Sequence, residues 1–193
     1  MTRKIFIWVA HPRATSFCSG LADAYQAGAE AGGATVRRMD LNDMRFDQYF
    51  EGYGADVPAL EADLLTWQEN IAWADHLMIV HPYWWGAMPA RAKAVLDRAL
   101  TSGFAFKYHS RGMGWDRLLT GRTADALITS DTPTLIDTLF YLKPPRRVIR
   151  NQVLKFCGIK PRKVVQFGSV KLAEEAKRAR WIERARTMGR TAA

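Results

Sequence analysis

Short apolar runs rich in β-branched and aromatic residues alternate along this chain with stripes of helical period, and that alternation limits the possible folds more than any other feature. Lys4–Ala10 (KIFIWVA) is apolar on successive residues, as a strand buried on both faces requires. Leu21, Ala24, Tyr25 and Gly28 follow at i, i+3, i+4 and i+7, a helical stripe that stops at Gly32 and Gly33. Ala34–Leu41 reads as a second strand. Asn42–Pro58 has no clean period and three Gly or Pro punctuators, so a long loop is expected there. Leu60, Leu64, Trp67, Ile71 and Ala74 mark the second helix, His76–His81 the third strand, and Met88–Leu100 a helix with Ala92, Val95, Leu96 and Ala99 inward. Arg122–Thr129 is the fourth strand. Leu135–Leu142 and Arg146–Cys157 read as helical pieces broken at Pro144 and Pro145, Lys163–Phe167 as the fifth strand and Leu172–Met188 as a last, basic helix.

Five strands alternating with helices, without internal repeat or low-complexity linker, predict an α/β fold. It is a three-layer sandwich on a five-stranded parallel sheet with right-handed crossovers. The 193 residues, 48% apolar and with seven Trp and nine Phe, are expected to form one domain over 1–193. Ligands of such sheets bind beyond the carboxyl ends of the strands, so the strand-ending loops are the place to look for chemistry.

Charge and cysteine content narrow the partners. Net charge is +9 and uneven, with 15 basic against 3 acidic residues in 143–193. No nucleic-acid-reading motif accompanies this basic end, so specific nucleic-acid binding is not expected. Cys18 and Cys157 show neither CxxC nor Cys/His spacing, which argues against a disulfide framework and against a metal site. The apolar run Ile5–Ala10 is too short for a signal peptide or a membrane span before His11 and Pro12 interrupt it. A cytoplasmic protein that is not integral to a membrane is expected.

Four loops carry candidate chemistry. In the first, His11–Phe17 opens the first helix, where free N–H groups, the Thr15 and Ser16 hydroxyls, His11 and Arg13 can surround a phosphate. The plainer reading makes Thr15 or Ser16 an N-cap, and no GxGxxG or Walker pattern is present. In the second, Tyr83, Trp84 and Trp85 stand together between Pro82 and Gly86. Three neighbouring side chains cannot all face one core, and flat rings beside exposed backbone suit a flat heterocycle. In the third, Thr129, Ser130, Asp131 and Thr132 offer hydroxyls and N–H groups to the polar edge of a ring, or simply cap a helix. The fourth, Gly103–Tyr108, puts aromatics near the same edge, with core packing as its equal alternative.

In this order, His11-x-x-x-Thr15-Ser16-Phe17, Pro82-Tyr83-Trp84-Trp85-Gly86 and Phe104-Ala105-Phe106-Lys107-Tyr108 resemble the flavodoxin-like NAD(P)H:quinone oxidoreductases, over about residues 3–170. The resemblance implies a flavin phosphate held by His11, Thr15, Ser16, Phe17 and the Cys18 backbone. It lays the isoalloxazine along Pro82, Tyr83, Trp84, Trp85 and Gly86, with Thr129, Ser130, Asp131 and Thr132 at the opposite edge. FMN is expected ahead of FAD, because the chain lacks the long C-terminal extension of the larger FAD-binding relatives. NAD(P)H would be the co-substrate, passing hydride to flavin N5 before a quinone-like acceptor takes two electrons, in a ping-pong sequence. By the same resemblance Phe106 and Tyr108 line the substrate face, often across a homodimer interface. Tyr108 is also a candidate proton donor, with Tyr141 and Lys143 as others. Arg146, Arg147 and Arg150 are candidates to attract an NADPH 2′-phosphate, on charge and order alone.

The chain departs from the family pattern after the fourth strand. The usual Thr-Thr-Gly-Gly is Thr129-Ser130-Asp131-Thr132, and the four histidines, His11, His76, His81 and His109, leave none for a proton relay in that segment. Two other readings fit the same fold. One is a flavodoxin-type electron carrier, against which the +9 charge speaks; the other is a regulatory subunit that binds flavin without turnover.

Overall fold

Five parallel strands, Thr35–Asp40, Lys4–Val9, His76–Pro82, Thr123–Thr129 and Lys160–Phe167 in spatial order, form the centre of the protein. The computed structural model describes residues 2–52 and 58–193. Along the chain run β1 (Lys4–Val9), α1 (Phe17–Ala31), β2 (Thr35–Asp40), α2 (Ala62–Trp73), β3 (His76–Pro82) and α3 (Ala90–Ala99). A hairpin of β4 (Phe106–Tyr108) and β5 (Trp115–Arg117) precedes β6 (Thr123–Thr129), α4 (Thr134–Leu139) and α5 (Pro144–Arg147). A π-helix (Val148–Lys155), β7 (Lys160–Phe167) and α6 (Glu175–Arg190) complete the fold. The expected five-stranded parallel sheet is present. Residues 53–57 of the loop expected over 42–58 lie outside the described residues.

Strand alternation divides the core into two layers. Phe6, Trp8 and Ala10 of the first apolar run face α2, α3 and the π-helix, whereas Ile5, Ile7 and Val9 face α1 and α6. Burying each large apolar side chain contributes about 1.5–3 kcal/mol, which explains why β1 is apolar at every position after Lys4. Helices α1 and α6 cross unusually closely. A Cβ added at Gly28 would stand 1.9 Å from the Arg186 carbonyl oxygen, and one at Gly189 would stand 2.0 Å from that of Tyr25. Among the described residues no helix is long and apolar enough to cross a membrane.

Several boundaries differ from expectation. Strand β7 starts at Lys160 rather than Lys163 and so contains Pro161. It is an edge strand, and its register slips where Ala124 faces Pro161 but Asp125 faces Lys163. Arg162 is thus the extra residue of a β-bulge, the position at which a sheet tolerates proline. The expected break is present, and Pro144 and Pro145 begin the second helical piece, two residues before the expected Arg146. Lys143 takes a left-handed turn at φ 59°, and the prolines fill the first helical turn, where no backbone donor is required. Leu142 also has positive φ, 58°, so α4 ends at Leu139 and not Leu142. The hairpin β4–β5 has strands of three residues each, too short to show a period in sequence.

Candidate functional site

Beyond the carboxyl ends of β1, β3 and β6 three of the four loops named from sequence converge. Strand order reverses here, because β2 lies on one side of β1 and all later sheet strands lie on the other. Open α/β sheets form their binding crevice at such a point.

The first loop ends at Ser16, whose extended backbone and side chain cap α1: its Oγ accepts the Ser19 N–H at 3.1 Å. Ser19 Oγ in turn donates to the Ala14 carbonyl at 2.8 Å, which closes the loop into a tight curve. Capping at Ser16 engages the Ser19 N–H and leaves the first N–H groups of the helix available. The Phe17 and Cys18 N–H groups open the helix without an i−4 carbonyl inside it, and no acidic residue occupies the first turn. His11 is buried, and its Nδ1 accepts the Arg13 N–H at 3.0 Å, so the ring proton lies on Nε2. Burial holds the His11 pKa below the ordinary value, so the ring is a neutral donor. The His11 and Trp84 rings meet edge to face, with centroids 5.7 Å apart.

The second loop is a two-residue turn. Trp84 and Ala87 exchange N–H···O bonds of 2.8 and 3.0 Å, and the central residues Trp85 and Gly86 both have positive φ, 48° and 82°. That geometry resembles a type I′ turn and gives the two tryptophans different roles. Trp84 stays against the cleft, 42% exposed, while Trp85 projects into solvent, 104% exposed. The Tyr83 N–H donates to the Thr129 carbonyl at 2.7 Å and ties this loop to the third.

In the third loop Ser130 Oγ–H donates to the Thr132 carbonyl at 2.9 Å and accepts from Gln166 Nε2 at 3.0 Å. The Asp131 carboxylate accepts the Lys171 N–H at 2.9 Å, which turns part of its charge toward the loop after β7. Cys18 Sγ lies 3.3 Å from Thr129 Oγ1, and burial pushes its thiol pKa up to about 12. Cys18 is therefore a neutral packing group and not a nucleophile.

Together these loops bound a polar cleft of about 350 Å³. His11 and Thr15–Cys18 line it from the first loop, Pro82–Trp84 from the second and Thr129–Thr132 from the third. Arg13 and Val170 join them. Val170 carried no sequence signal, since only its N–H bond to the Ser130 carbonyl, 3.0 Å, brings it there. Trp85 and Gly86 line a neighbouring cavity instead. Phe106 and Tyr108 line neither hollow; their rings pack on one another at 5.1 Å, and Phe106 also meets Phe156 at 5.1 Å. The Arg146 guanidinium is held by Asp137 at 3.2 Å and Thr138 at 2.6 Å.

A family model described as the flavodoxin-like fold matches residues 3–188. The chain belongs to this flavodoxin-like family. An uncharacterized NAD(P)H oxidoreductase of Haemophilus influenzae is 28% identical over 180 residues, covering 90% of this chain and 88% of that protein. A ribosyldihydronicotinamide dehydrogenase [quinone] of Rattus norvegicus is 26% identical over 221 residues, covering 96% and 92%. Among solved structures, an NAD(P)H:quinone oxidoreductase of Methanothermobacter marburgensis superposes with a TM-score of 0.84 at 25% identity, over the full length of both chains. In this flavodoxin-like chain the cleft lies at the strand-order reversal common to open α/β sheets.

Proposed function

We propose that this protein is a flavin-dependent NAD(P)H oxidoreductase that reduces quinone-like acceptors, with FMN as the cofactor. The observation that carries the reading is the convergence of one anion-binding helix end, one aromatic wall and one polar rim on a single cleft, in a chain whose relatives carry oxidoreductase names.

The residues present fit such a group. The Phe17 and Cys18 N–H groups, the Thr15 hydroxyl and the neutral His11 Nε2–H form a donor set for a phosphate without a carboxylate in the helix's first turn. Trp84 and the Tyr83 backbone supply the wall for a flat ring. Thr129, Ser130, Asp131 and Thr132 address its polar edge, where N–H donors favour negative charge on the ring and the Asp131 carboxylate opposes it. A flavin held there supplies hydride uptake from NAD(P)H and two-electron delivery to the acceptor, the two substrates using the site in turn. The protein's own part is to orient the rings and exclude water from the covered face.

Phe106 and Tyr108 lie outside the cleft of their own chain. In a homodimer they would close the cleft of the second copy, and we assign them to the substrate in that arrangement, with Tyr108 as the proton donor.

The test is to record the visible spectrum of the purified protein loaded with FMN and then to add NADPH without oxygen. Bleaching of the band near ~450 nm, typical of an oxidised flavin carrying hydride chemistry, followed by recolouring with benzoquinone, is the expected result. A bound flavin that stays yellow would favour the carrier or regulatory reading.

A further inference from the structure

The segment after β6 leaves an apolar run in the open. Six of the eight residues from Leu135 to Leu142 are large and apolar, and all six, Leu135, Ile136, Leu139, Phe140, Tyr141 and Leu142, are between 42% and 76% exposed. Single exposed apolar residues are ordinary, but a contiguous group marks a surface that meets something apolar. Strained backbone ends the run: Leu142 and Lys143 both take positive φ, 58° and 59°, a conformation unfavourable to residues with a Cβ.

The same surface is basic. Between residues 132 and 173 stand nine Lys or Arg and one carboxylate, Asp137, which is fully buried and held by Arg146 at 3.2 Å. Lys143 and Arg147 are exposed just past the run. At its other end Leu135 borders a hollow with Lys177, Trp181 and Arg184 of α6, and no carboxylate among the described residues lines it. Lys177 Nζ lies 5.2 Å from the centre of the Trp181 ring and Arg184 Cζ 5.9 Å from that of Phe167. Exposed Leu and Phe edged by Lys, Arg and Trp suit the interfacial layer of a bilayer, where apolar groups enter the acyl chains and cations stay at the headgroups. Anionic headgroups supply the counter-charge that the run itself lacks. A second copy does not, because in a two-fold interface each residue near the axis meets its own image and Lys143 and Arg147 would face like charge. A nucleic acid would meet the cations and leave the apolar run in water.

We propose that the α4 run and the basic residues beside it dock the protein on the surface of an anionic phospholipid bilayer. The docking is peripheral and reversible, with Leu139 and Phe140 among the acyl chains and Lys143, Arg147, Lys177 and Arg184 at the headgroup phosphates. It does not depend on the flavin reading above. The third cleft loop runs from Thr132 directly into α4, so docking brings the cleft close to the lipid surface, where apolar acceptors dissolve.

The test is cosedimentation of the protein as purified with vesicles of phosphatidylcholine alone and of phosphatidylcholine with an equal part of phosphatidylglycerol, at about 0.1 M salt. The partition coefficient should be about tenfold higher for the anionic vesicles and should fall as salt rises. Leu139→Ser with Phe140→Ser, and separately Lys143→Glu with Arg147→Glu, should each lower it about tenfold while keeping the melting temperature of the parent. Should the serine pair unfold, the glutamate pair reads the same surface. Lys160→Glu with Arg190→Glu makes an equal change of net charge at exposed positions by the amino end of the sheet, and should leave the coefficient within about twofold, because charges beyond a Debye length are screened. Equal partition into the two kinds of vesicle, no partition into either, binding that survives in a folded serine or glutamate pair, or an equal loss in the distant pair would each overturn the proposal. So would a dimer of the parent that Leu139→Ser with Phe140→Ser dissociates in size-exclusion chromatography, because a second copy would then cover the run. Vesicle binding needs no turnover, so failure of NADPH oxidation would leave this result intact.

Discussion

Asp125 accepts a hydrogen bond of 2.6 Å from Arg162, its carboxylate fully buried on β6 and its partner the extra residue of the β7 bulge. The same carboxylate accepts from Tyr25 Oη at 2.9 Å and from the Lys163 N–H at 3.0 Å. A single donor direction continues outward: His76 Nε2 donates to Tyr25 Oη at 2.9 Å, Thr123 Oγ1 to His76 Nδ1 at 2.6 Å, and Arg3 to Thr123 Oγ1 at 2.8 Å. Arg162 also donates to carbonyls at Met188 and Thr191, so the network ties the amino end of the sheet to α6.

Removing one member of a buried pair leaves the other charge without compensation. Asp125→Ala should therefore lower the stability by about 3 kcal/mol or more, read from the urea midpoint. Arg162→Met should lose at least as much, because it leaves a fully buried carboxylate without its countercharge, whereas Asp125→Ala leaves a guanidinium that is 24% exposed. The double substitution should fall short of the sum of the two. Additive losses would mean that the two groups do not act as a pair.

Stability should decline in acid in two windows. Burial holds His81 down to about 4 against an ordinary 6.5, so the unfolded chain takes up its proton first. That contribution is complete above pH 6.5 and is lost as pH falls to about 4, on the order of 3 kcal/mol at ~1.4 kcal/mol per pH unit. His11 and His76 shift the same way, burial being the main cause in both. Asp125 is held at about 2 against an ordinary 3.8, despite burial, by its hydrogen bonds and the Arg162 charge. Its contribution is present above 3.8 and disappears as pH falls through 2. Urea midpoints at pH 7.5, 6 and 4.5 should fall in that order, and a flat profile would contradict the burial of these imidazoles.

Two glycines of α1 should respond in opposite directions to the same substitution. Gly28→Ala places a methyl 1.9 Å from a backbone oxygen of α6, so the helices must separate. Overpacking of this kind costs about 1–3 kcal/mol, more than the ~1 kcal/mol that alanine adds as a better helix former. Gly20→Ala meets only Ile182 Cδ1, at an ordinary 3.6 Å, and should raise the melting temperature. A lower melting temperature for Gly20→Ala would mean that its neighbourhood is tighter than the contact distance implies.

The layered fold was legible because its central strands are buried on both faces, which forces apolar runs such as Lys4–Ala10 and His76–His81. The three cleft loops were legible for the related reason that they follow those strands directly. What escaped depends on partners far away in the chain. Pro161 reads as a strand breaker until Arg162 is seen to bulge toward Asp125, 37 residues earlier. The adjacent aromatics Tyr83, Trp84 and Trp85 give no clue in sequence to which one turns outward. That is decided by the positive φ of Trp85, at a position where Asn, Asp or Gly would have been the usual signal. The cavity beside the cleft needs Ile149 and Val153 from the π-helix opposite Leu96 of α3, a juxtaposition that no local spacing records.

The contrast between the adjacent tryptophans gives the most direct check on the cleft. Trp84 lines the cleft and touches the neutral His11 ring, whereas Trp85 does not line it. Trp84→Ala removes both a flat wall and the packing that orients a phosphate donor, so the dissociation constant for FMN should rise about tenfold, the equivalent of about 1.4 kcal/mol and within the range of one aromatic contact. Trp85→Asn exchanges an exposed ring for a residue that accepts positive φ readily, so FMN affinity should stay within about twofold. Because the positive φ strain is relieved at the same time, the melting temperature of Trp85→Asn should rise. Fluorescence titration of FMN into the three flavin-free proteins reads the affinities, and a thermal scan of each reads the stability. A larger loss of affinity in Trp85→Asn than in Trp84→Ala would place the ring on the solvent side of the turn, and would reverse the roles that the turn geometry gives the two residues.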